Sequence, residues 1–313
     1  MKNILVTGAF GQIGSELVPA LQKKFGLEHV VAIGHTNIPK DFKGIVEIAE
    51  IGEGEKLEAI IQKYSIDTVY HLVSLLSAKG EVDPSLTWQV NMGGLKIILD
   101  LAVKYKLQVF WPSSIAAFGL TTPRVNTPQR TVLEPTTMYG VTKVAGELLV
   151  SYYHKKYGLD VRSIRYPGLI SFKTPPGGGT TDYAVAIFYD GLQKGKYECF
   201  VRPDTTLPMM YMDDAVRGTM ELMEADPKKL SVTTSYNFAA ISFTAEELAR
   251  EINKHIKVDV TYKPDFHQQI ADSWPESIDD ATAREDWGWK HEFTLSKMTS
   301  VMIEELKKKF GMV

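Results

Sequence analysis

The chain has 313 residues and a formal net charge of -3 at pH 7, so its acidic and basic side chains nearly balance. This length suits one large α/β unit or two lobes. No cluster of lysine and arginine indicates a nucleic-acid partner, and no apolar run approaches the length that spans a membrane. Cys199 is the only cysteine, so no intrachain disulfide can form. Together with a start that leads directly into a predicted strand, this favours a cytoplasmic protein.

A glycine-rich turn follows the first predicted strand. Gly8, Gly11 and Gly14 have the spacing G-x-x-G-x-x-G, with Gln12 and Ile13 between the last two, and a helical pattern comes next. Glycines let a backbone approach a pyrophosphate closely, and the N-terminus of the helix supplies N–H groups and a positive dipole. We therefore predict that these five residues bind a dinucleotide; the alternative is a tight turn without a ligand.

The second predicted strand ends without the acidic residue that binds the ribose hydroxyl groups of NAD in such folds. Gly34 stands there, and no arginine for a 2′-phosphate is present, so the choice between NAD and NADP stays open. His35 or Asn37 could bond the ribose, although a mere turn explains either residue as well. Glu50 and Ile51, after the third predicted strand, are expected near the adenine. Replacing Gly34 by aspartate is expected to favour NAD over NADP.

Predicted strands alternate with predicted helices up to Tyr166, which indicates a parallel, doubly wound sheet. We predict an α/β protein with a Rossmann-like NAD-binding domain, residues 1–168. A smaller C-terminal substrate lobe, residues 169–313, is expected to cover it, with interleaving of the two parts as an alternative. The predicted strands are 4–6, 30–33, 45–48, 68–73, 108–111 and 161–165, and the two longest helices are 88–105 and 139–157.

Ligands of open α/β sheets gather at the carboxyl ends of the strands. On this basis we predict that Leu72 and Tyr166, near the ends of the fourth and sixth predicted strands, contact the cofactor. Asn91, in the long helix that follows the fourth strand, is assigned to the same group.

Tyr139 and Lys143 form the candidate catalytic pair. Residues four apart lie on one face of a helix, so the ammonium of Lys143 would lower the pKa of the phenol and make it a usable general base. Tyr152 and Lys156 share the spacing but lie in the middle of the same predicted helix, and we assign them to surface or packing. Tyr139 stands at the helix start, and the small Gly140 beside it allows a ligand or another backbone to approach.

Taken together, these residues resemble the extended short-chain dehydrogenase/reductase family over essentially the whole chain. The resemblance rests on the glycine turn, on Ser114 five places before Gly119, and on the pair of Tyr139 and Lys143. Within that family the sequence looks like the L-threonine 3-dehydrogenases of this fold. The motifs that carry this second resemblance are Trp111-Pro112-Ser113-Ser114-Ile115, Arg165-Tyr166-Pro167-Gly168, Gly178-Gly179-Thr180-Thr181-Asp182-Tyr183, Pro208-Met209-Met210-Tyr211-Met212-Asp213-Asp214 and Ser273-Trp274-Pro275.

The resemblance implies oxidation of L-threonine at its 3-hydroxyl group to 2-amino-3-oxobutanoate, with NAD as acceptor. It also implies a homodimer packed through the helices beside the sheet, and an aspartate in most relatives where Gly34 stands. Ser114 would hydrogen-bond the reacting oxygen, with its neighbour Ser113 as the alternative. Tyr139 would take the proton, and Lys143 would bond the nicotinamide ribose.

Such a substrate carries an ammonium and a carboxylate, and a buried site needs a charged or hydrogen-bonding partner for each. Asp182 is predicted to face the ammonium. Thr180, Thr181 and Ser77 are predicted to donate hydroxyl groups to the carboxylate, and Trp274 forms either a wall of the pocket or plain core. The glycine loop 177–179 is interpreted as a closing lid, with a flexible connector as the alternative.

Two other functions stay open on these residues. A nucleotide-sugar epimerase or dehydratase of the same fold needs basic side chains for a diphosphate, and Arg202 keeps that alternative open. A non-catalytic dinucleotide sensor needs no base, so Ser114, Tyr139 and Lys143 argue against it. A metal-dependent mechanism is not indicated, because the sequence has no H-E-x-x-H motif and no zinc-ligand spacing.

Overall fold

A parallel sheet forms the centre of the protein. The computed structural model describes residues 1–35 and 38–312, and only the backbone of residues 78 and 79. In chain order the strands are β1 (Ile4–Thr7), β2 (Val30–Gly34), β3 (Ile45–Ile48), β4 (Thr68–His71), β5 (Gln108–Ser114), β6 (Val161–Tyr166), β7 (Gly168–Ile170), β8 (Lys196–Cys199), β9 (Thr206–Tyr211), β10 (Tyr236–Asn237), β11 (Ile241–Thr244) and β12 (Asp259–Tyr262).

Seven of these strands pair in parallel in the order β10-β6-β5-β4-β1-β2-β3. Helices follow most of the strands, so the predicted fold class, an α/β protein with a Rossmann-like doubly wound sheet, is confirmed. The α-helices are α1 (Gly14–Phe25), α2 (Gly54–Lys63), α3 (Ser77–Val82), α4 (Pro84–Trp88), α5 (Gly94–Tyr105), α6 (Met138–Tyr157), α7 (Tyr183–Lys194), α8 (Met212–Glu224), α9 (Ala245–Asn253), α10 (Phe266–Asp272), α11 (Ala281–Trp287) and α12 (Leu295–Lys309).

Alternate residues of each central strand face two different layers of helices. In β1, Ile4 and Val6 pack with α1 and α8, whereas Leu5 packs with α2 and α5 on the opposite face. All three side chains are fully buried. Burial of one such side chain contributes about 1.5–3 kcal/mol to the free energy of unfolding. Packing of helices on both faces therefore stabilises the central sheet.

The chain after residue 168 builds a second core and also contributes to the first. A three-stranded sheet, β11-β9-β7, and a two-stranded sheet, β12-β8, share a hydrophobic core with α7, α9 and α12. However, β10 pairs with β6 in the central sheet, and α8 covers that sheet beside α1. The two parts are therefore interleaved in sequence, and a boundary at residue 168 stays a prediction.

Some predicted ends differ from those of the structure. β5 continues three residues beyond its predicted end, because Ser114 still pairs with Tyr166 of β6. The helix predicted at 88–105 begins earlier, at Pro84, and consists of α4, a π-helical segment Gln89–Gly93 and α5. At its start the carboxylate of Asp83 accepts a hydrogen bond from the backbone of Leu86. None of the helices in residues 1–35 and 38–312 is long and apolar enough to cross a membrane.

Candidate active site

A cleft lies at the carboxyl ends of β1, β4 and β5, on the side of the C-terminal lobe. Its lining comes from elements that are far apart in the sequence. Twelve of the residues predicted to form the site line it together: Gln12, Ile13, Leu72, Ser77, Ser114, Tyr139, Lys143, Tyr166, Thr180, Thr181, Asp182 and Trp274. The structure therefore joins members of the predicted cofactor, catalytic and substrate groups in one place. The predicted cofactor residues that are not part of this lining are Gly8, Gly11, Gly14, His35, Glu50, Ile51 and Asn91.

The turn between β1 and α1 depends on its glycines. Gly8 has φ +69°, a left-handed conformation that glycine adopts readily, and Gly11 donates a hydrogen bond back to its carbonyl oxygen. A Cβ on Gly14 would collide with that same oxygen. α1 starts here without a side-chain cap, and no described residue accepts a hydrogen bond from the backbone N–H of Gln12 or Ile13. These features fit the pyrophosphate of a dinucleotide.

The start of α6 places Tyr139 in the cleft. The hydroxyl group of Thr137 caps the helix by accepting a hydrogen bond from the backbone of Gly140 at 3.1 Å. Gly140 lies so close to the carbonyl oxygen of Ala116 that a larger residue would collide with it. Tyr139 is only 9 % exposed and packs against the core of the C-terminal lobe. The phenol is therefore held at the junction of the two parts of the molecule.

Lys143 lies one turn further along α6 and is 2 % exposed. Its Nζ atom donates a hydrogen bond to the carbonyl oxygen of Pro112 at 2.7 Å and lies 5.2 Å from the centre of the Tyr139 ring. Burial lowers the pKa of Lys143 to about 7, while the negative charge of Glu147 acts in the opposite direction. This lysine is therefore poised to gain or lose its proton near neutral pH.

The pKa of Tyr139 differs from the expectation that Lys143 lowers it. Burial raises the pKa of Tyr139 to about 12, and only the neighbouring hydroxyl group of Ser114 acts in the opposite direction. The cost of removing the phenolate from water is therefore larger than the stabilisation that the phenolate receives from neighbouring groups. Because Lys143 and Tyr139 are in contact and both are buried, we treat them as one titrating pair.

The two serines at the end of β5 have different surroundings. Both line the cleft, and Ser113 donates a hydrogen bond to Oε1 of Glu147 at 2.7 Å. The hydroxyl group of Ser114 caps the short 3₁₀ turn that follows and lies beside Tyr139. Contact of Ser114 with a reacting oxygen stays a prediction.

Glu147 was not singled out in the sequence analysis. It is 1 % exposed and forms a two-point ion pair with the guanidinium of Arg165, at 2.7 and 2.8 Å. Its position four residues after Lys143 was a usable signal, because Tyr139, Lys143 and Glu147 share one helix face.

Two residues assigned to the cofactor direct their polar atoms elsewhere. Asn91 accepts a hydrogen bond from the backbone N–H of Leu75 and donates to the Leu75 carbonyl oxygen and to Thr142. It therefore ties the segment after β4 to α6. The hydroxyl group of Tyr166 bonds Thr219 of α8. Contact of either residue with a cofactor stays a prediction.

The far edge of the sheet brings His35 and Glu50 together. The end of β2 lies beside the end of β3, and Nε2 of His35 is 3.1 Å from Oε1 of Glu50. Ile51 packs against the first residue of α5, Gly94. Asn37, the alternative partner for a ribose, lies outside the described residues.

The space at Gly34 bears on the expectation for an aspartate there, and the preference for NAD over NADP that aspartate would give stays a prediction. A Cβ at this position would lie 2.6 Å from the ring of Phe10 and 2.7 Å from Ile38. The ring of Phe10 is itself packed edge-on against Phe42, 5.0 Å between centroids. Aspartate therefore cannot be added at Gly34 without displacing this aromatic pair.

Asp182 closes the glycine loop. Its Oδ2 atom accepts hydrogen bonds from the backbone N–H groups of Gly177, Gly178 and Gly179, at 2.7 to 2.8 Å. The carboxylate lines the cleft but also shapes the segment that was interpreted as a lid.

The other predicted substrate residues have different degrees of hydrogen bonding. Thr180 is 1 % exposed, and its hydroxyl group has no hydrogen-bond partner among the described residues. Trp274 is both buried in the core of the lobe and part of the cleft wall, and its contact with a substrate stays a prediction. Among residues 1–35 and 38–312, no cluster of histidine, cysteine and carboxylate side chains could hold a metal ion.

The doubly wound sheet and the glycine turn define a dinucleotide-binding class of protein, and the buried pair of Tyr139 and Lys143 lies in its cleft. The model of the NAD dependent epimerase/dehydratase family matches residues 4–239. The chain belongs to this family.

Relatives over nearly the whole chain confirm the resemblance to L-threonine 3-dehydrogenases. The mitochondrial L-threonine 3-dehydrogenase of Bos taurus is 46% identical over 306 residues, 96% of this chain and 82% of that protein. A solved structure of a monomeric L-threonine 3-dehydrogenase from a metagenome is 50% identical, with a TM-score of 0.96 over 98% of this chain and 99% of that one.

A further solved relative exists in two forms. The holo form of the GalE-like L-threonine dehydrogenase from Cupriavidus necator is 48% identical, with a TM-score of 0.96 over 97% of this chain and 100% of that one. Its apo form gives a TM-score of 0.86 over 98% and 100%. The backbone of this chain therefore matches the holo form more closely.

Gly34→Asp is expected to weaken dinucleotide binding, because the new side chain displaces Phe10, and overpacking of this kind costs about 1–3 kcal/mol. The dissociation constants of NAD and NADP are measured by titration of protein fluorescence, with thermal unfolding alongside. Gly52→Asp is the control, since a Cβ there meets nothing within 4 Å. Tighter NAD binding by Gly34→Asp would show that the loop yields without cost.

Proposed function

We propose that the protein oxidises L-threonine at its 3-hydroxyl group to 2-amino-3-oxobutanoate, with NAD as hydride acceptor and Tyr139 as general base. The observation that carries the proposal is the convergence of Tyr139, Lys143 and Ser114 in one cleft beside the glycine turn. The activity named for relatives of 46% and 50% identity supports the choice of substrate.

Tyr139 and Lys143 act as one acid–base pair. With the pKa of Lys143 lowered to about 7 and that of Tyr139 raised to about 12, the pair loses its first proton near neutral pH. With these pKa values the remaining proton resides mainly on the phenol, and a minor form carries it on Lys143. When it resides on Lys143, Tyr139 is a phenolate and can take the proton of an alcohol. Turnover should therefore rise as the pH increases through neutrality.

Ser114 orients the reacting hydroxyl group in this proposal. Its side chain lies at the cleft beside Tyr139, whereas the hydroxyl group of Ser113 is engaged by Glu147. A hydrogen bond from Ser114 would hold the substrate oxygen within reach of the phenolate, which is the geometry that proton transfer needs.

The carboxylate of the amino acid is assigned to Thr180, with Thr181 and Ser77 nearby in the cleft lining. The buried hydroxyl group of Thr180 has no partner among the described residues. Leaving such a donor unsatisfied costs about 1–3 kcal/mol, and a bound carboxylate would recover this cost. Thr180 is therefore the strongest candidate of the three.

The ammonium is assigned to Asp182. One oxygen of this carboxylate, Oδ2, holds the three glycine N–H groups, while no described residue donates to Oδ1. An ammonium bound at Oδ1 would contact the same side chain that shapes the glycine loop. Substrate binding and loop closure would then reinforce each other.

NAD is the proposed cofactor, held by the glycine turn, by the N-terminus of α1 and by Lys143. The nicotinamide ring of NAD supplies the hydride acceptor when it is bound. At the adenosine end, Glu50 places a carboxylate beside His35 where the ribose of such folds is bound. This negative charge favours a free ribose hydroxyl group over a 2′-phosphate.

The surroundings of Arg202 do not support a nucleotide-sugar substrate. Its guanidinium forms a two-point ion pair with Asp272, at 2.8 and 3.0 Å. Met209 and Met210, where relatives acting on nucleotide sugars tend to place basic residues, are fully buried. Among the described residues, Lys143 is the one basic side chain that lines the cleft. A diphosphate would therefore find only this one cationic partner there.

We also propose that the protein is a cytoplasmic homodimer. Three apolar side chains on one side of α6 are 40–65 % exposed, namely Val141, Leu148 and Tyr152. Because the spacing of these residues forms a stripe along the helix, a second copy of α6 could cover it. The relative from a metagenome is described as monomeric, so the stripe on α6 and not the family relationship carries this proposal.

Purified protein is expected to reduce NAD with L-threonine, followed as NADH absorbance, and to keep this activity in the presence of a metal chelator. The same assay is run with L-serine, with UDP-sugars and with NADP in place of NAD. Turnover of a UDP-sugar without oxidation of L-threonine would contradict the proposal.

Tyr139→Phe is expected to lower kcat by roughly 100-fold or more, because a general base contributes about 10²–10⁴-fold to the rate. Binding of NAD should change little. Tyr157→Phe makes the same change at the exposed C-terminal end of α6 and should retain full activity. Near-normal turnover by Tyr139→Phe would remove the base from the mechanism.

Thr180→Val is expected to raise the KM for L-threonine by roughly 10- to 100-fold, because a hydrogen bond to a charged group contributes about 1.5–3 kcal/mol. Thr180→Ser keeps the hydroxyl group and should remain within a few-fold of the parent protein. Steady-state kinetics at saturating NAD give both values. An equal KM for the two variants would show that the hydroxyl group does not bind substrate.

Leu148→Glu is expected to convert the dimer into a monomer, because two carboxylates would be buried at the contact. Sedimentation velocity compares it with the parent protein and with Leu27→Glu, an exposed leucine away from α6. A parent protein that sediments as a monomer would contradict the proposed assembly.

A further inference from the structure

A buried carboxylate that the proposed reaction does not use lies behind the catalytic pair. Glu147 follows Tyr139 and Lys143 on the same face of α6, since residues four apart are neighbours along a helix. It is 1 % exposed, and it is absent from the lining of the cleft. Glu147 therefore has no route to a reacting atom, and any effect on catalysis must act through other groups.

Both oxygen atoms of Glu147 are engaged. Oε1 accepts hydrogen bonds from the hydroxyl group of Ser113 at 2.7 Å and from Nε of Arg165 at 2.8 Å, and Oε2 accepts one from the Arg165 guanidinium at 2.7 Å. Arg165 also donates to the carbonyl oxygen of Gln129 and to Oδ1 of Asn237. The carboxylate is therefore fixed in position and paired with a guanidinium.

This carboxylate completes a set of contacts between α6 and the end of β5. One side chain of the helix meets each of three consecutive strand residues. The pairs are Lys143 with Pro112, Glu147 with Ser113, and Tyr139 with Ser114. Because Ser114 is the residue proposed to orient the substrate, a shift of its neighbour Ser113 would also move the reacting oxygen.

Several elements place titratable groups around Lys143. Tyr139 and Glu147 face it from α6, and His71 lies at the end of β4. Burial, with the charge of Lys143, lowers the pKa of His71 to about 3, so this ring is neutral. Arg165 of β6 lies behind Glu147, and Asp182 lines the opposite side of the cleft. Of these groups, Glu147 is the one whose negative charge acts on the ammonium.

We propose that Glu147, held by Arg165, is a positioning residue that keeps Lys143 protonated and the end of β5 aligned with α6. In this way it decides the pH at which the Tyr139–Lys143 pair becomes active. The kinetic part of this inference rests on the proposed function, whereas the effect on Lys143 does not.

Two variants separate the charge of Glu147 from its shape. Glu147→Gln removes the charge and keeps the shape, whereas Glu147→Asp keeps the charge and shortens the side chain. The titration of Lys143 is followed by NMR on protein labelled at the ε-carbon of lysine, with the signal assigned by its loss in Lys143→Arg. No substrate or cofactor is needed for this measurement.

The midpoint of the Lys143 titration should fall by about one pH unit or more in Glu147→Gln, because a nearby anion favours the ammonium. In Glu147→Asp it should move less than half as far. With L-threonine and NAD, the rising limb of kcat against pH should move to lower pH in Glu147→Gln alone. Loss of an anion makes the first proton of the pair easier to remove.

Asp160→Asn is the matched control. Asp160 forms a two-point ion pair with Arg162, a buried arginine at the opposite end of β6, at 2.8 and 2.9 Å. The variant makes the same change from carboxylate to amide beside an arginine of the same strand. It should leave both the Lys143 midpoint and the pH profile unchanged.

A midpoint that stays in place in Glu147→Gln, or that moves as far in Glu147→Asp, overturns the proposal. Thermal unfolding shows which variants are folded. If Glu147→Gln does not fold, Glu147→Gln combined with Arg165→Met leaves no unpaired buried charge and is judged by the same criterion. If L-threonine is not oxidised at all, the proposed function fails while the NMR titration still decides the role of Glu147.

Discussion

The contact between α6 and the end of β5 is the constraint on which the site depends. A strand end in an open sheet is free to fray, but here three side chains of one helix face hold it from Pro112 to Ser114. The helix is fixed in turn by its cap at Thr137 and by the close approach of Gly140 to Ala116. The proposed acid–base centre therefore lies in the packing of a helix on a sheet and not in a loop.

Burial and charge oppose each other in this centre. Removing Lys143 and Tyr139 from water favours their neutral forms, which moves their pKa values in opposite directions, to about 7 and about 12. The proton that the pair keeps above neutral pH therefore resides mainly on the phenol, and only a minor form has an ammonium beside a phenolate. A base of this kind is inactive in most of its population, and it becomes useful only when neighbouring charges favour the phenolate.

Packing fills the place at the sheet edge where a carboxylate usually follows the second strand of a dinucleotide-binding fold. Gly34 stands there in this sequence, and the ring of Phe10, packed against Phe42, occupies the adjacent space. The carboxylate of Glu50, after β3, lies beside His35 at the end of β2. Spacing along one strand could not reveal this arrangement, because Phe10 and Glu50 come from other parts of the chain.

The sequence by itself determined the alternation of strands and helices, the glycine turn and the pair of Tyr139 and Lys143. These follow from local rules, namely hydrophobic periodicity, the φ that Gly8 requires and the repeat of the α-helix. Only the tertiary structure decided that Glu147 engages the hydroxyl group of Ser113, that Asn91 ties two elements together, and that Glu147 is held by Arg165. Each of these depends on which residues from distant segments share a buried space, and burial also reversed the expected direction of the Tyr139 pKa.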